Sequence, residues 1–337
     1  MKEYNVAVLG ATGAVGQQMM KVLEERNFPV KRLLPLASAR SAGKQLAFRG
    51  EALSIEEATE ASFAGMDIVL GAVSNEMAKR FAPAIQDSGA VFIDNSSAFR
   101  LREDVPLVVP EINPEDAFQH HGIVANPNCS TIITMVALGG IRRLTAIDKM
   151  VACTYQAVSG AGQQGITELQ DQLRAVTLGE PVQPHVFPCQ IVSNVIPQIG
   201  SECDNGYTTE EMKMQNEGRK IMHLPELRVC CTCVRVPVMR SHSIAVQLVT
   251  RDPISVEDAR QAVAAAPGCV LTDDLDGRNY PTPLDTSDQD LVYVGRIRRD
   301  LISGDHGLAL WCCGDQVRKG AATNAVQIAE LLARGQA

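Results

Sequence analysis

The stretch Tyr4-Asn5-Val6-Ala7-Val8-Leu9-Gly10-Ala11-Thr12-Gly13-Ala14-Val15-Gly16 decides the fold. Its first six residues form a short apolar strand, and the chain beyond Gly16 continues as a helix to about Arg26. Glycines at 10, 13 and 16 permit a tight turn, close backbone approach to a pyrophosphate, and close packing of helix on strand. A glycine pattern by itself is a weak signal. Between a strand and a helix it predicts a dinucleotide-binding turn, against the plainer alternative of a simple strand-to-helix connection. Further strands are expected at residues 31–37, 66–72, 90–94 and 122–125, with a helix over 76–86. That alternation predicts an α/β fold with a Rossmann-type, doubly wound parallel sheet.

Cofactor preference is read from the end of the second strand. An acidic residue there would hold a ribose 2′-hydroxyl and favour NAD. None is present, and the loop instead reads Ser38-Ala39-Arg40-Ser41-Ala42-Gly43-Lys44. An arginine with two serine hydroxyls suits a 2′-phosphate, so NADP is expected. The bland alternative is a polar surface loop with an idle arginine. Ser74 follows the third strand at its carboxyl end, where such sheets bind ligands. Arg100 closes the polar loop Asn95-Ser96-Ser97-Ala98-Phe99-Arg100, as an anion binder or as a plain surface charge.

Composition narrows the class. The 337 residues suffice for two domains and a sizeable core, and 45% are apolar with only 4% aromatic. A net charge of −8 argues against a nucleic-acid or anionic-membrane partner. No apolar run approaches the roughly 20 residues of a membrane span, and no signal peptide is visible, so a cytoplasmic protein is expected. Ten cysteines include the clusters Cys230-Cys231-Thr232-Cys233 and Cys312-Cys313. Their spacing lacks paired two-residue gaps and they lie in strand-like runs, so they read as small strand residues and no metal is expected.

A second decisive stretch is Ala125-Asn126-Pro127-Asn128-Cys129-Ser130-Thr131-Ile132-Ile133-Thr134. Pro127 biases Asn126 away from helical dihedrals and Asn128 is a good N-cap, so a helix is expected to begin at Cys129 and run to Gly139-Gly140. Free N–H groups and the positive end of the helix dipole favour a thiolate there, and the thiolate is the nucleophile. The equal alternative is a small packing residue.

Later, residues 150–156 are strand-like and Val158-Ser159-Gly160-Ala161-Gly162 is a small-residue loop. A helix follows over 166–176. Thr208 opens another with Glu210, Glu211 and Lys213 in its first turns, and Thr208 with Glu211 fits a capping box. Residues 229–238 and 243–250 read as two strands around the turn 239–242, carrying Arg235 and His242. Arg235 needs a carboxylate partner, from ligand or protein, while a lone histidine such as His242 is more often structural than catalytic. Arg296, Arg298 and Arg299 read as a solvated strand face. Residues 320–334 form an amphipathic helix suited to docking on the first domain.

These residues resemble the bacterial aspartate-semialdehyde dehydrogenases. The shared segments are 10–16, 95–100, 126–131, 155–162, 210–213, 235–242 and 315–322, in the family's order and across nearly the whole chain. The resemblance implies that Cys129 attacks the acyl carbon of 4-phospho-L-aspartate, that phosphate leaves, and that hydride from NADPH reduces the thioester to L-aspartate 4-semialdehyde. It implies His242 as general acid/base, Gln156 as the orienting amide, Arg235 as the grip on the substrate α-carboxylate, and Arg100 with Lys213 as phosphate binders near Glu210. For the cofactor it implies Thr12, Gly13, Ala14 and Val15, Arg40 and Ser41, Ser159 and Gly160, and Gln316. It also implies a homodimer built through an α+β second domain. The division expected is 1–128 with 315–337 for NADP, and 129–314 for catalysis and dimerisation. The rivals are an N-acetyl-glutamyl-phosphate reductase, whose cysteine segment usually reads Pro-Gly-Cys, a sugar-phosphate aldehyde dehydrogenase, and a non-enzymatic nucleotide sensor.

Overall fold

The computed structural model describes residues 2–335, which divide into two compact units: residues up to Asn128 with those from Ala321, and Cys129–Gly320. The first unit opens β1 (Tyr4–Leu9), α1 (Ala14–Glu25) and β2 (Val30–Ala37). A small hairpin of β3 (Gln45–Phe48) and β4 (Glu51–Ser54) leads to β5 (Glu56–Glu57) and β6 (Ile68–Gly71). Then come α2 (Asn75–Asp87), β7 (Val91–Asp94) and β8 (Ile123–Ala125). The sheet runs β5-β2-β1-β6-β7-β8 and every pairing in it is parallel. This is the doubly wound order, with its switch point between β1 and β6, where ligands of such sheets bind. The inner strands β1 and β6 and strand β8 are near-continuous apolar runs, as parallel strands buried on both faces are.

The second unit begins with α3 (Cys129–Leu144), β9 (Ile147–Gln156), α4 (Gly162–Leu178) and α5 (Thr209–Ile221). It continues through β10 (Arg228–Arg235), β11 (His242–Thr250), α6 (Val256–Ala264), β12 (Cys269–Leu271) and α7 (Pro283–Thr286), and closes with β13 (Val292–Arg299) and β14 (Gly307–Gly314). Its sheet is mixed, in the order β10-β9-β11-β14-β13-β12. Helices α3, α5 and α6 cover one face. The strands alternate accordingly: in β9, Met150, Ala152, Thr154 and Gln156 are buried, while Val151 and Tyr155 on the opposite face are exposed.

After a π-turn over Arg318–Ala322, α8 (Thr323–Arg334) returns to the first unit. There Tyr4 Oη donates to the Ala333 carbonyl at 3.0 Å and Arg26 pairs with Glu330 at 2.7 Å. The apolar stripe Ala322, Ala325, Val326, Ile328 and Ala329 joins the core formed by β1, α1 and β6.

Several expectations need correction. The helix starting at Cys129 does not stop at Gly139-Gly140; it runs on to Leu144. A Cβ at Gly140 would collide with the Ala262 carbonyl, so this glycine lets α6 lie close rather than ending α3. The strands carrying Arg235 and His242 are not a hairpin pair, because β9 lies between them, parallel to β10 and antiparallel to β11. Arg299 does not belong to a solvated face: its guanidinium donates to the carbonyls of Ile254, Asp305 and Gly307, tying two loops to β13.

Candidate active site

Three adjacent strands of the second sheet place three polar side chains at one level. Arg235 ends β10 opposite Gln156, which ends β9, and the last β9–β11 pair, Tyr155 with Ser243, sets Gln156 level with His242, which begins β11. All three are buried on the face covered by helices. Cys129, in the first turn of α3, meets this row: its Sγ lies 3.4 Å from His242 Nε2. Gly320 lets the 315–320 turn pack on the cysteine, since a Cβ there would stand 3.0 Å from Cys129 Cβ.

His242 has a defined tautomer. The main-chain N–H of Ala157 donates to Nδ1 at 3.1 Å, which leaves Nε2, the nitrogen facing sulfur, to carry the ring proton. Complete burial, with the Arg235 cation adding to it and Glu210 opposing, pushes the histidine pKa down to about 3. At neutral pH the ring is an uncharged donor toward Cys129.

Gln156 donates to Glu210 Oε1 at 3.2 Å, and Lys213 Nζ holds Glu210 Oε2 at 2.9 Å. Glu211 does different work. It forms the capping box with Thr208, and its Oε1 accepts the Cys233 N–H at 2.9 Å on the edge of β10. Arg235 Nη1 donates to the Ala157 carbonyl at 2.7 Å. Burial lowers its pKa, while Cys129, Glu210 and Cys233 pull the other way. Gly160 gives the guanidinium room, for a Cβ there would stand 2.6 Å from Nη1.

Gln316 and Ser159 are buried and bonded to each other, and Gln316 Oε1 also accepts the Ser241 N–H at 2.8 Å. Asp315 takes Arg240 Nε at 2.6 Å. Residues 315–320 therefore pack within the second unit, and the crossing to the first falls at Ala321 rather than at 315. Ser241 precedes His242 in a left-handed conformation, φ 76°, so the Gln316 bond braces the histidine's own peptide neighbour. Nothing in the residue pattern signalled this brace, or the main-chain bond from Ala157.

In the first unit the glycine turn is a cradle that side chains would fill. A Cβ at Gly10, where φ is +90°, would strike the Ala72 carbonyl, and one at Gly16 would strike the Gly10 carbonyl. Gly13 caps α1 without any side-chain bond, so the helix N–H groups stay open toward an anion. The cradle fits a dinucleotide pyrophosphate, with Thr12, Ala14 and Val15 on the same turn. Ser38 and Arg40 are exposed in the turn after β2, beside buried Ser41. Ser74 is the N-cap of α2 and accepts the Met77 N–H. Arg100 is not a surface charge: it is buried, its Nε and Nη2 donating to the carbonyls of Asn126 and Asn95 at 2.9 and 2.8 Å. Asp94 shapes that loop by accepting the Ser96 hydroxyl at 2.6 Å, and burial raises the aspartate's pKa.

A dinucleotide cradle in one unit and a histidine-paired cysteine in the other are the equipment of nucleotide-using dehydrogenases that work through an enzyme thiol. Family models agree with that class. Residues 5–120 match the semialdehyde dehydrogenase NAD binding domain, and residues 138–319 match the semialdehyde dehydrogenase dimerisation domain. Aspartate-semialdehyde dehydrogenase of Synechocystis is 50% identical over 97% of this chain and 96% of its own, and that of Bacillus subtilis is 48% identical over 97% of each. The crystal structure of Vibrio cholerae aspartate semialdehyde dehydrogenase II complexed with ASA superposes with a TM-score of 0.97, at 45% identity over 100% of both chains. The chain belongs to the aspartate-semialdehyde dehydrogenase family. It is an oxidoreductase whose first unit binds a nicotinamide dinucleotide. Among the described residues, no helix is long and apolar enough to cross a membrane.

Proposed function

We propose that this enzyme converts 4-phospho-L-aspartate to L-aspartate 4-semialdehyde through a thioester on Cys129, drawing hydride from NADPH. The observation that carries the reading is the sulfur 3.4 Å from a histidine nitrogen whose ring partner is already bonded to main chain. Cys129 attacks the acyl carbon as thiolate, and the carbon–oxygen bond to phosphate breaks. Phosphate leaves with the bonding pair and takes a proton from solvent. Arg100 and Lys213 are the cations assigned to it. Arg235 grips the substrate α-carboxylate, since the guanidinium has donors beyond the one given to Ala157.

The reduced nicotinamide, when bound, supplies a hydride to the thioester carbon. His242 donates from Nε2 to the oxyanion that results, and Gln156, held by Glu210, orients the acyl group. The carbon–sulfur bond then breaks, the aldehyde forms, and the electron pair returns to Cys129. No net proton is needed in this second half, which suits a histidine kept neutral.

The NADP preference rests on Arg40, Ser38 and Ser41 after β2 and on the missing acid there. The protein works as a homodimer in the cytoplasm, where its ten cysteines, none of them in a disulfide, stay reduced. One experiment tests the chemistry: aspartate semialdehyde and phosphate are supplied with NADP or NAD, and the protein is quenched for peptide mass spectrometry. An acyl adduct on the Cys129 peptide, lost in Cys129→Ser, and faster turnover with NADP are expected. An adduct elsewhere, or better turnover of N-acetyl-glutamate semialdehyde, would overturn the assignment; preference for NAD would overturn the cofactor reading.

A further inference from the structure

Arg235 has a roof that the shared family segments do not include. Residues 181–197 contain no helix or strand, yet they are fastened along their length to α4. Glu168 Oε2 accepts the main-chain N–H groups of His185, at 3.0 Å, and Val186. Gln172 Oε1 accepts those of Ile191 and Val192, at 3.0 and 3.1 Å, while its Nε2 donates to Glu168 Oε1 at 2.9 Å. Two buried side chains one helical turn apart thus satisfy four N–H groups of an otherwise irregular segment. The end of the segment is tied to Arg235 itself, since Ile196 and Arg235 exchange both main-chain hydrogen bonds, at 2.9 and 2.8 Å. From the middle of this strap Phe187 lays its ring 5.8 Å from the Arg235 guanidinium carbon. Gly165 lets α4 close on the Val158 carbonyl, which a Cβ there would strike, and on the ring, whose Cζ would stand 3.2 Å from that Cβ.

A guanidinium offers two surfaces to a ligand: its flat face and its N–H-bearing edge. Phe187 flanks the guanidinium, whose carbon lies over the ring, and Gly160 lets the loop close on Nη1. The N–H-bearing edge accepts a carboxylate in plane with two parallel hydrogen bonds. A flanking ring also displaces water, which strengthens such charge-assisted bonds.

We propose that Phe187 is a positioning residue that sets specificity for an amino-acid α-carboxylate by holding the Arg235 fork edge-on, with the Glu168–Gln172 pair fixing the strap that carries it. The inference rests on the proposed role of Arg235. Its test is a kinetic double-mutant cycle in the semialdehyde-oxidising direction. Phe187→Leu should raise KM for aspartate semialdehyde about tenfold and change kcat less than about twofold, the loss expected of one desolvated cation–π contact. Phe187→Tyr, which keeps a ring face, should restore KM, and Gln172→Leu, which frees the strap, should reproduce the Phe187→Leu defect. On an Arg235→Ala background, Phe187→Leu should add less than about twofold, because nothing is left to position. If Arg235→Ala itself leaves KM unchanged, the carboxylate grip is misassigned and the inference goes with it. If Arg235→Ala raises KM but Phe187→Leu does not, or the two effects multiply independently, the grip stands and Phe187 has no such role.

Discussion

At the scale of single residues, His242 shows how far environment governs chemistry. A histidine ordinarily titrates near 6.5, but complete burial and the Arg235 cation hold this one down to about 3. The bond from Ala157 N–H acts in the same sense, because protonating Nδ1 would set two donors against each other. A folded-state pKa below the unfolded value means that the unfolded chain binds more protons between the two. Stability therefore rises with pH through that window and is lost as pH falls from about 6.5 toward 3. One site contributes at most about 1.4 kcal/mol per pH unit. His242→Gln should flatten the dependence of the urea midpoint on pH between 7 and 5. An unchanged slope would mean that the ring is already charged in the folded enzyme. Cys129 was legible as a candidate nucleophile because its stretch carries local signals: a proline, an N-cap residue and an apolar run. His242 was legible only through the family resemblance, since its partner is the main-chain N–H of Ala157, just past the end of β9 and 85 residues earlier in the chain.

At the scale of elements, what the pattern could not supply was pairing. Period-two alternation identifies β10 and β11 as strands, yet it does not say whether they touch, and β9 lies between them. That insertion is what brings Arg235, Gln156 and His242 to one level, so the site depends on the long-range step that local pattern leaves open. Helix α5 shows the opposite case, in which local chemistry was readable. Glu210 and Glu211 are neighbours in its first turn, and the capping box marks Glu211 as structural. The structure adds that β10 is an edge strand whose N–H groups at Val229 and Cys233 are taken by Gln215 and Glu211 of that helix. The two acids should therefore separate on substitution. Glu211→Leu leaves the Thr208 and Cys233 N–H groups without their acceptor and should cost about 1–3 kcal/mol of stability with KM little changed. Glu210→Gln should leave the melting temperature within about 2 °C while kcat/KM falls at least about tenfold, since the charge bridging Gln156 and Lys213 is gone. Thermal unfolding and steady-state kinetics on the same two variants decide it; the reverse pattern would exchange the roles.

At the scale of the whole molecule, the net charge of −8 describes the surface, whereas the proposed substrate meets buried or half-buried cations at Arg100, Arg235 and Lys213. A net negative composition is thus compatible with a doubly anionic substrate. Composition is equally silent on assembly, which the second sheet addresses through its uncovered face. Helices α3, α5 and α6 take one side. The other presents Val151 at 44% and Tyr155 at 39% exposure, with the Tyr155 and Trp311 rings 5.4 Å apart. A mixed sheet with one apolar face open to water gains by burying it, and a two-fold partner brings the same residues to meet it. The proposed homodimer places its contact there, consistent with the dimerisation-domain model matched over residues 138–319. Val151→Lys would then set two like charges into a dry contact without disturbing the single chain, where that side chain already meets solvent. The mass in sedimentation velocity should drop from two chains to one while the far-ultraviolet circular dichroism is kept. Turnover should fall as well, because Tyr155 on the proposed contact face and Gln156 in the proposed catalytic row are consecutive residues of β9. Persistence of the dimer in that variant would move the contact off this face.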